Sequence, residues 1–112
     1  MSIGSKWIFP IAAACVAALS TTSMAAYPER PITLVVPFSP GGSSDNVARS
    51  LEQMLAERLG QPVVVENVGG AGGTIGTHKV VRAKSDGYTV LLGSGSEILI
   101  NKLINPKVPY DA

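Results

Sequence analysis

The sequence predicts an α/β fold with a three-stranded parallel β-α-β-α-β core. Three apolar runs, at 32–36, 63–65 and 88–92, are too short for helices and contain many β-branched residues. Two segments with helical spacing separate these runs, which is the alternation typical of parallel sheets. Glycine and small polar residues follow each run, at the sheet edge where α/β proteins bind ligands.

The first apolar run begins a strand, turn and helix start around which the chain is organised. Ile32–Val36 is apolar at almost every position, which suits a parallel strand covered on both faces. Pro37 blocks further pairing, and the Pro-Gly-Gly at 40–42 favours a tight turn. The Ser-Ser-Asp at 43–45 contains residues that favour a helix N-terminus.

The next elements continue the alternation of helix and strand. Apolar residues three and four positions apart predict a helix over 44–59, and Gly60 is expected to end it as a left-handed cap. A second strand over 63–65 leads into a glycine-rich loop. A second helix is predicted over 74–83, where the apolar residues again have helical spacing.

The last strand completes the predicted sheet. It covers 88–92, and a short third helix is expected over 97–104. Right-handed crossovers then place the first strand centrally, with the second and third strands on either side of it. Three loops are therefore expected to meet at one edge of the sheet: 39–45, 67–74 and 93–97.

The first 25 residues have the parts of a secretory signal peptide. Lys6 supplies the positive start, 7–19 the apolar segment, and Ser23 and Ala25 suit cleavage after Ala25. A retained membrane anchor is the alternative, but the apolar segment is short for a stable span. Cys15 lacks the large aliphatic residue three positions upstream that lipidated cysteines have. We expect an exported domain over 26–112.

Composition excludes a nucleic-acid-binding role and a disordered chain. The hydrophobic content is 46% and the charged content 15%, as in a folded domain. The nine basic residues, of which Lys6 is in the leader, form no dense stripe with aromatic residues between them. A nucleic-acid surface requires such a stripe, so we expect no nucleic-acid partner.

Motif spacing also argues against an enzyme. The glycines at 69–73 do not fit G-x-G-x-x-G, because Ala71 and Ile75 stand where glycines are needed. A P-loop requires a lysine after its glycine turn, and none follows the turn at 40–42. The nucleophile pattern G-x-S-x-G does not occur at 93–96. His78 is the only histidine and is interpreted as a surface residue. We therefore predict no enzyme, no cofactor and no metal site.

The loop edge does contain what an anion-binding site needs. A helix N-terminus presents unpaired backbone N–H groups and the positive end of its dipole. Glycines let a ligand approach this backbone closely, and serines add hydroxyl groups. A carboxylate suits the site better than a phosphate, because no lysine or arginine is adjacent. The candidate ligand-binding residues are Gly41, Gly42, Ser43, Ser44, Gly72, Gly73, Ser94 and Ser96.

Asp45 has two possible roles at this site. As an acid in the first turn, it is favourable to the helix dipole. It is also a candidate to contact a hydrogen-bond donor of the ligand, so we include it among the ligand-binding residues.

Four segments of the chain resemble a known family, the tripartite tricarboxylate transporter receptors, also called the Bug family. The segments are YPERPITLVVPFSPGGSSDNVAR at 27–49, LGQPVVVENVGGAGGTIG at 59–76, DGYTVLLG at 86–93 and NPKVPYD at 105–111. The resemblance implies a periplasmic-binding-protein fold of type II, whose two lobes close on a carboxylate-bearing solute. It also implies a periplasmic monomer that works with membrane transporter subunits.

The resemblance extends the candidate site and sets the limits of the chain. The family's first ligand loop falls on 38–45, which adds Phe38 and Ser39, and a second falls on 93–97. The family continues into a second lobe where this sequence stops, so we expect a partial first lobe. Two alternatives remain open: an exported α/β enzyme with catalytic residues beyond Ala112, and a truncated chain without function. The sequence does not name the solute.

Overall fold

A central strand with one parallel neighbour on either side forms the sheet. The computed structural model describes residues 26–111, so the leader proposed for 1–25 lies outside the described residues. The elements, in chain order, are β1 (Ile32–Val36), α1 (Ser43–Leu59), β2 (Val63–Asn67), a 3-10 turn (Ala71–Gly73), α2 (Thr74–Arg82), β3 (Thr89–Leu91), a π-helical turn (Ser96–Ile100) and α3 (Asn101–Ile104). The strand order is β2-β1-β3 with both pairs parallel, which confirms the predicted fold class and the central position of β1.

The core forms on both faces of β1. Ile32, Leu34 and Val36 share one face, where they pack with Ala48 of α1 and Val63 of β2. Side chains alternate along a strand, so Val35 points to the opposite face, where it is 0% exposed. Helix α2 contacts β1 and β3, and right-handed crossovers put it on that opposite face. Burial on both faces explains why β1 is apolar at nearly every position.

Helix α1 starts one residue before the predicted 44–59, ends where predicted, and has a narrower apolar face than its sequence suggests. It ends at Gly60, which has a left-handed φ of 71° and whose N–H bonds to the Ala56 carbonyl at 2.9 Å, as predicted. Val47 and Met54 belong to the apolar pattern, yet they remain 51% and 46% exposed. Because a sheet of three strands is narrow, only the centre of the apolar stripe of α1 packs against it.

The third helical segment starts one residue before the predicted 97–104 and begins in a different form. Its first part is π-helical, and only the last four residues, α3, are α-helical. Its apolar side chains are largely exposed: Leu99, Ile100, Leu103 and Ile104. Within residues 26–111, no helix combines the length and the apolar character that crossing a membrane requires.

Candidate functional site

Backbone hydrogen bonds at the end of β1 bring the three loops together. The N–H of Val68 bonds to the Val36 carbonyl, and that of Leu92 bonds to the Val35 carbonyl, each at 2.9 Å. These bonds extend the ladder of β1 beyond β2 and β3 on both sides. Because all three strands are parallel, the loops that follow them leave the sheet at the same edge, as the sequence predicts.

The N-terminus of α1 faces an open cavity. The first backbone hydrogen bond of the helix runs from the Asn46 N–H to the Gly42 carbonyl at 3.0 Å. The N–H groups of residues 43–45 therefore have no partner within the helix. Gly42 forms no side-chain cap there. A cavity of about 390 Å³ lies in front of this turn, and its lining consists of Phe38, Gly42, Ser43, Ser44 and Ser94.

A second cavity adjoins the same helix end and is more apolar. Its volume is about 220 Å³, and its lining consists of Ser43, Ser44, Val47, Leu92 and Gly93. Ser43 and Ser44 border both cavities, which places them at the centre of the loop edge. The exposed Val47 contributes an apolar surface to the lining of this cavity.

Asp45 lines neither cavity, and its carboxylate holds the first loop in place. Its carboxylate accepts bonds from the Gly41 N–H at 2.9 Å, Asn67 Nδ2 at 3.0 Å and Arg49 Nε at 3.1 Å. The bond from Gly41 lowers the pKa of Asp45 most, followed by those from Asn67 and Arg49. Asn67 Nδ2 also lies 3.3 Å from the Phe38 carbonyl. The carboxylate thus holds the glycine turn against the end of β2.

The glycine loop after β2 is covered by the third helical segment. Gly73 is buried, and a Cβ there would lie 2.7 Å from Cβ of Glu97. Asn101 Nδ2 donates to the Gly72 carbonyl at 2.8 Å and lies 3.3 Å from Thr74 Oγ1. Neither Gly72 nor Gly73 lines the two cavities described above. The N-terminus of α2 is therefore packed against protein groups.

Ser39 lies where the first two loops touch. A Cβ at Gly69 would lie 3.2 Å from both the backbone nitrogen and Oγ of Ser39. Ser39 itself is exposed, and Gly41, two residues later, has a φ of 90°, which favours glycine. The tight approach at Gly69 keeps the first loop close to the second.

Glu97 is a buried carboxylate in the loop after β3. It is 0% exposed and accepts bonds from the Ser94 N–H, Ser94 Oγ at 2.6 Å and Ser96 Oγ at 2.9 Å. Burial by itself raises the pKa of Glu97, but the bonds from Ser94 and Ser96 outweigh it and leave the pKa below its ordinary value. The Tyr110 hydroxyl donates to the Glu97 carbonyl. Ser94 and Ser96 are exposed, but their polar hydrogens are directed to Glu97.

Sequence reasoning missed the polar side chains that organise these loops. They are Arg49, Asn67, Glu97 and Asn101. Asn67 gives the one usable signal, because a polar residue at the carboxyl end of a buried strand lies at the ligand edge. Glu97 stood at the end of a predicted loop, but nothing in its immediate sequence indicates burial.

The comparisons with known proteins identify the family. The model of the "Tripartite tricarboxylate transporter family receptor" matches residues 47–112. The chain belongs to this family. It is 52% identical over 85 residues to BugT of Bordetella pertussis, which covers 75% of this chain and 26% of that protein. The chain thus spans about a quarter of the length of this relative.

Two solved structures of related receptors resemble the chain closely. MatC from Rhodopseudomonas palustris with bound malate has a TM-score of 0.72 at 40% identity, over 76% of this chain and 29% of that chain. A second R. palustris protein, with adipate, has a TM-score of 0.71 at 38% identity, over 76% of this chain and 28% of that chain. The part that matches is the first lobe of a periplasmic-binding-protein fold. The family and these structures are binding proteins for transport and not enzymes, as the sequence predicts.

Proposed function

We propose that this chain forms the first lobe of a periplasmic receptor that captures a small organic acid by its carboxylate. The receptor would act as a monomer and pass the acid to the membrane subunits of a tripartite tricarboxylate-type transporter. The observation that carries this proposal is the cavity at the start of α1, bordered by Gly42, Ser43 and Ser44. The malate and adipate bound by the related structures support it.

The chemistry of this helix end suits a carboxylate. The first-turn N–H groups have no intrahelical partners, and the helix dipole adds a partial positive charge at the same place. Among the residues that line the two cavities there is no lysine or arginine. Backbone donors and serine hydroxyls can balance one carboxylate, whereas a phosphate would bring a second charge without a cationic partner.

Export to the periplasm is part of the proposal. It rests on the positive start, apolar segment and Ser23-x-Ala25 ending of the leader, together with the family to which the chain belongs. We expect the exported protein to begin at Ala26. Mass spectrometry of the periplasmic fraction tests this, and a product that keeps Met1 or carries a lipid on Cys15 would contradict it.

The binding proposal is tested by placing a negative charge where the carboxylate should lie. Both lobes enclose the solute in this fold, so the protein measured is a two-lobed chimaera, with residues 26–112 replacing the matching part of BugT. Ser43→Asp should weaken binding of dicarboxylates and tricarboxylates by about ten- to a thousandfold, because one or two charge-assisted bonds are lost. Isothermal titration calorimetry gives the affinities.

His78→Ala is the matched control for Ser43→Asp. His78 lies in α2 and borders neither of the two cavities, so the affinity should stay unchanged. Equal binding by Ser43→Asp and the parent would place the carboxylate elsewhere. Binding of no organic acid by the parent chimaera would overturn the receptor proposal itself.

A further inference from the structure

Ser94, Ser96 and Glu97 form a closed group of side chains, here called the Ser94–Ser96–Glu97 cluster. Ser94 Oγ lies 2.6 Å and Ser96 Oγ 2.9 Å from the same carboxylate oxygen, Oε2. The two hydroxyl oxygens lie 2.7 Å from each other. The other carboxylate oxygen, Oε1, accepts the backbone N–H of Ser94.

The hydrogens available to the cluster are all used within it. Each serine hydroxyl brings one hydrogen, and an ionised carboxylate brings none. Both hydroxyls donate to Oε2 of Glu97, so both hydroxyl hydrogens are used, and the short contact between the two hydroxyl oxygens brings no third hydrogen. The hydroxyl groups therefore present only lone pairs to the surrounding solvent or to a ligand.

Ser94 of the cluster lines the same cavity as the start of α1. Ser94 lines the cavity of about 390 Å³ together with Gly42, Ser43 and Ser44. The lining of this cavity therefore includes the start of α1, with its unpaired backbone N–H groups, and the hydroxyl oxygen of Ser94, which can accept. A second carboxylate placed against Ser94 would meet lone pairs and the nearby negative charge of Glu97. A hydroxyl or ammonium group placed there would donate a hydrogen bond.

We propose that the site prefers organic acids that carry a hydrogen-bond donor, a hydroxyl or an ammonium group, near the carboxylate. The carboxylate lies at the N-terminus of α1, and the donor group bonds to Ser94. This inference rests on the proposed function, since it assigns the ligand class of the same cavity. It makes Ser94 and Glu97 residues that determine specificity, with Glu97 acting through the orientation of the hydroxyl groups.

The test compares acids that differ only in the donor group. The two-lobed chimaera is titrated with succinate, malate and aspartate, which have the same carbon skeleton and carry no donor, a hydroxyl and an ammonium group. At least one of malate and aspartate should bind about tenfold more tightly than succinate, the ratio expected for one additional hydrogen bond. Comparing the affinities for malate and aspartate shows whether the site prefers a hydroxyl or an ammonium group.

Two variants test whether the cluster is the cause of this preference. In Glu97→Gln, the amide oxygen would still accept the Ser94 N–H. The NH₂ group would then take the place of Oε2 and face both hydroxyl oxygens. The hydroxyl hydrogens would then turn outward, so the preference over succinate should be lost. Ser94→Ala removes the acceptor and should lower the same ratio towards one. A general weakening of the fold would reduce the affinities for all three acids together and leave their ratio unchanged.

The possible outcomes separate this inference from the proposed function. His78→Ala is the control and should keep the ratio of the parent. Tight binding of succinate, equal to that of malate and aspartate, would overturn the specificity inference and leave a carboxylate receptor. A parental ratio in both Glu97→Gln and Ser94→Ala would also overturn it. Binding of none of the acids, including citrate, would overturn the proposed function.

Discussion

Asp45 is the single residue on which the geometry of the first loop depends most. Asp45 is 3% exposed, and its carboxylate joins Gly41 in the turn, Arg49 one helical turn later and Asn67 at the end of β2. An ionised carboxylate has enough lone pairs for all three donors. Asp45 therefore positions the backbone of 41–45, on which the proposed carboxylate site is built, although it lines neither cavity.

Replacing Asp45 by Asn should destabilise the chain near neutral pH and remove part of its acid sensitivity. The amide can accept on one side only, so its NH₂ group must face one of the three donors. Because the bonds lower the pKa of Asp45 in the folded chain, their stabilisation is complete above the ordinary value of 3.8 and is lost below it. Urea denaturation between pH 2 and pH 7 measures both effects.

Glu52→Gln provides the control for Asp45→Asn within the same helix. It removes a carboxylate of α1 that lies well away from the glycine turn. It should keep the stability of the parent near neutral pH and the same loss of stability below the ordinary pKa of Asp45. Equal stability of Asp45→Asn and the parent at both ends of the pH range would show that the loop does not need this carboxylate.

At the scale of elements, the approach of α2 to the end of β1 sets the shape of the loop edge. A Cβ at Gly76 would lie 2.5 Å from the Val68 carbonyl oxygen and 2.7 Å from Cα of Pro37. Both are backbone atoms, so the contact cannot be relieved by rotating a side chain. Gly76 therefore allows α2 to lie directly against Pro37 and Val68, the residues that follow β1 and β2.

Gly76→Ala should destabilise the chain by about 1–3 kcal/mol, because the helix must move away from Pro37 and Val68. Helix propensity alone predicts the opposite sign, since alanine is better than glycine inside a helix by about 1 kcal/mol. Gly95→Ala is the matched control: its φ is −62° and a Cβ would meet nothing within 4 Å. It should be neutral or slightly stabilising. Thermal unfolding followed by circular dichroism compares the two, and a stabilising Gly76→Ala would contradict the close contact.

At the scale of the whole molecule, stability depends on the central strand far more than on its neighbours. Val35 in β1 is 0% exposed, whereas Val64 in β2 is 50% exposed. Valine therefore occupies both a fully buried position and a half-exposed position of the same small sheet. Among residues 26–111 the sheet has three strands, so both neighbours of β1 lie at an edge, and the buried apolar residues are concentrated on β1.

Val35→Asp should unfold the chain, whereas Val64→Asp should not. Burying an unpaired carboxylate costs several kcal/mol, which is comparable with the total stability of a small domain, about 5–15 kcal/mol. At Val64 the new carboxylate reaches water, and the cost should stay within about 1 kcal/mol. Far-ultraviolet circular dichroism distinguishes the two variants. A well-folded Val35→Asp would mean that β1 is not the centre of the sheet.

Short-range patterns in the sequence were sufficient for the framework of this chain. The apolar run of β1, the Pro-Gly-Gly turn at 40–42 and the helical spacing after it are local, so the first strand and helix were placed within a residue. The crossover rule then gave the central position of β1 without any knowledge of side chains. The same local signals identified Ser43 and Ser44, which border both cavities.

Only the tertiary structure decided how the polar groups at the loop edge are used. Asp45 is bound by Asn67 from 22 residues away, and Gly72 by Asn101 from 29 residues away. Glu97 is buried because Gly73 and Gly93, from two different loops, lack the Cβ atoms that would displace it. Such partners meet through packing and have no local pattern, since a hydrogen bond depends on where two groups lie and not on their separation in the sequence. The direction of each donor and acceptor follows from that packing, and the proposed ligand preference depends on it.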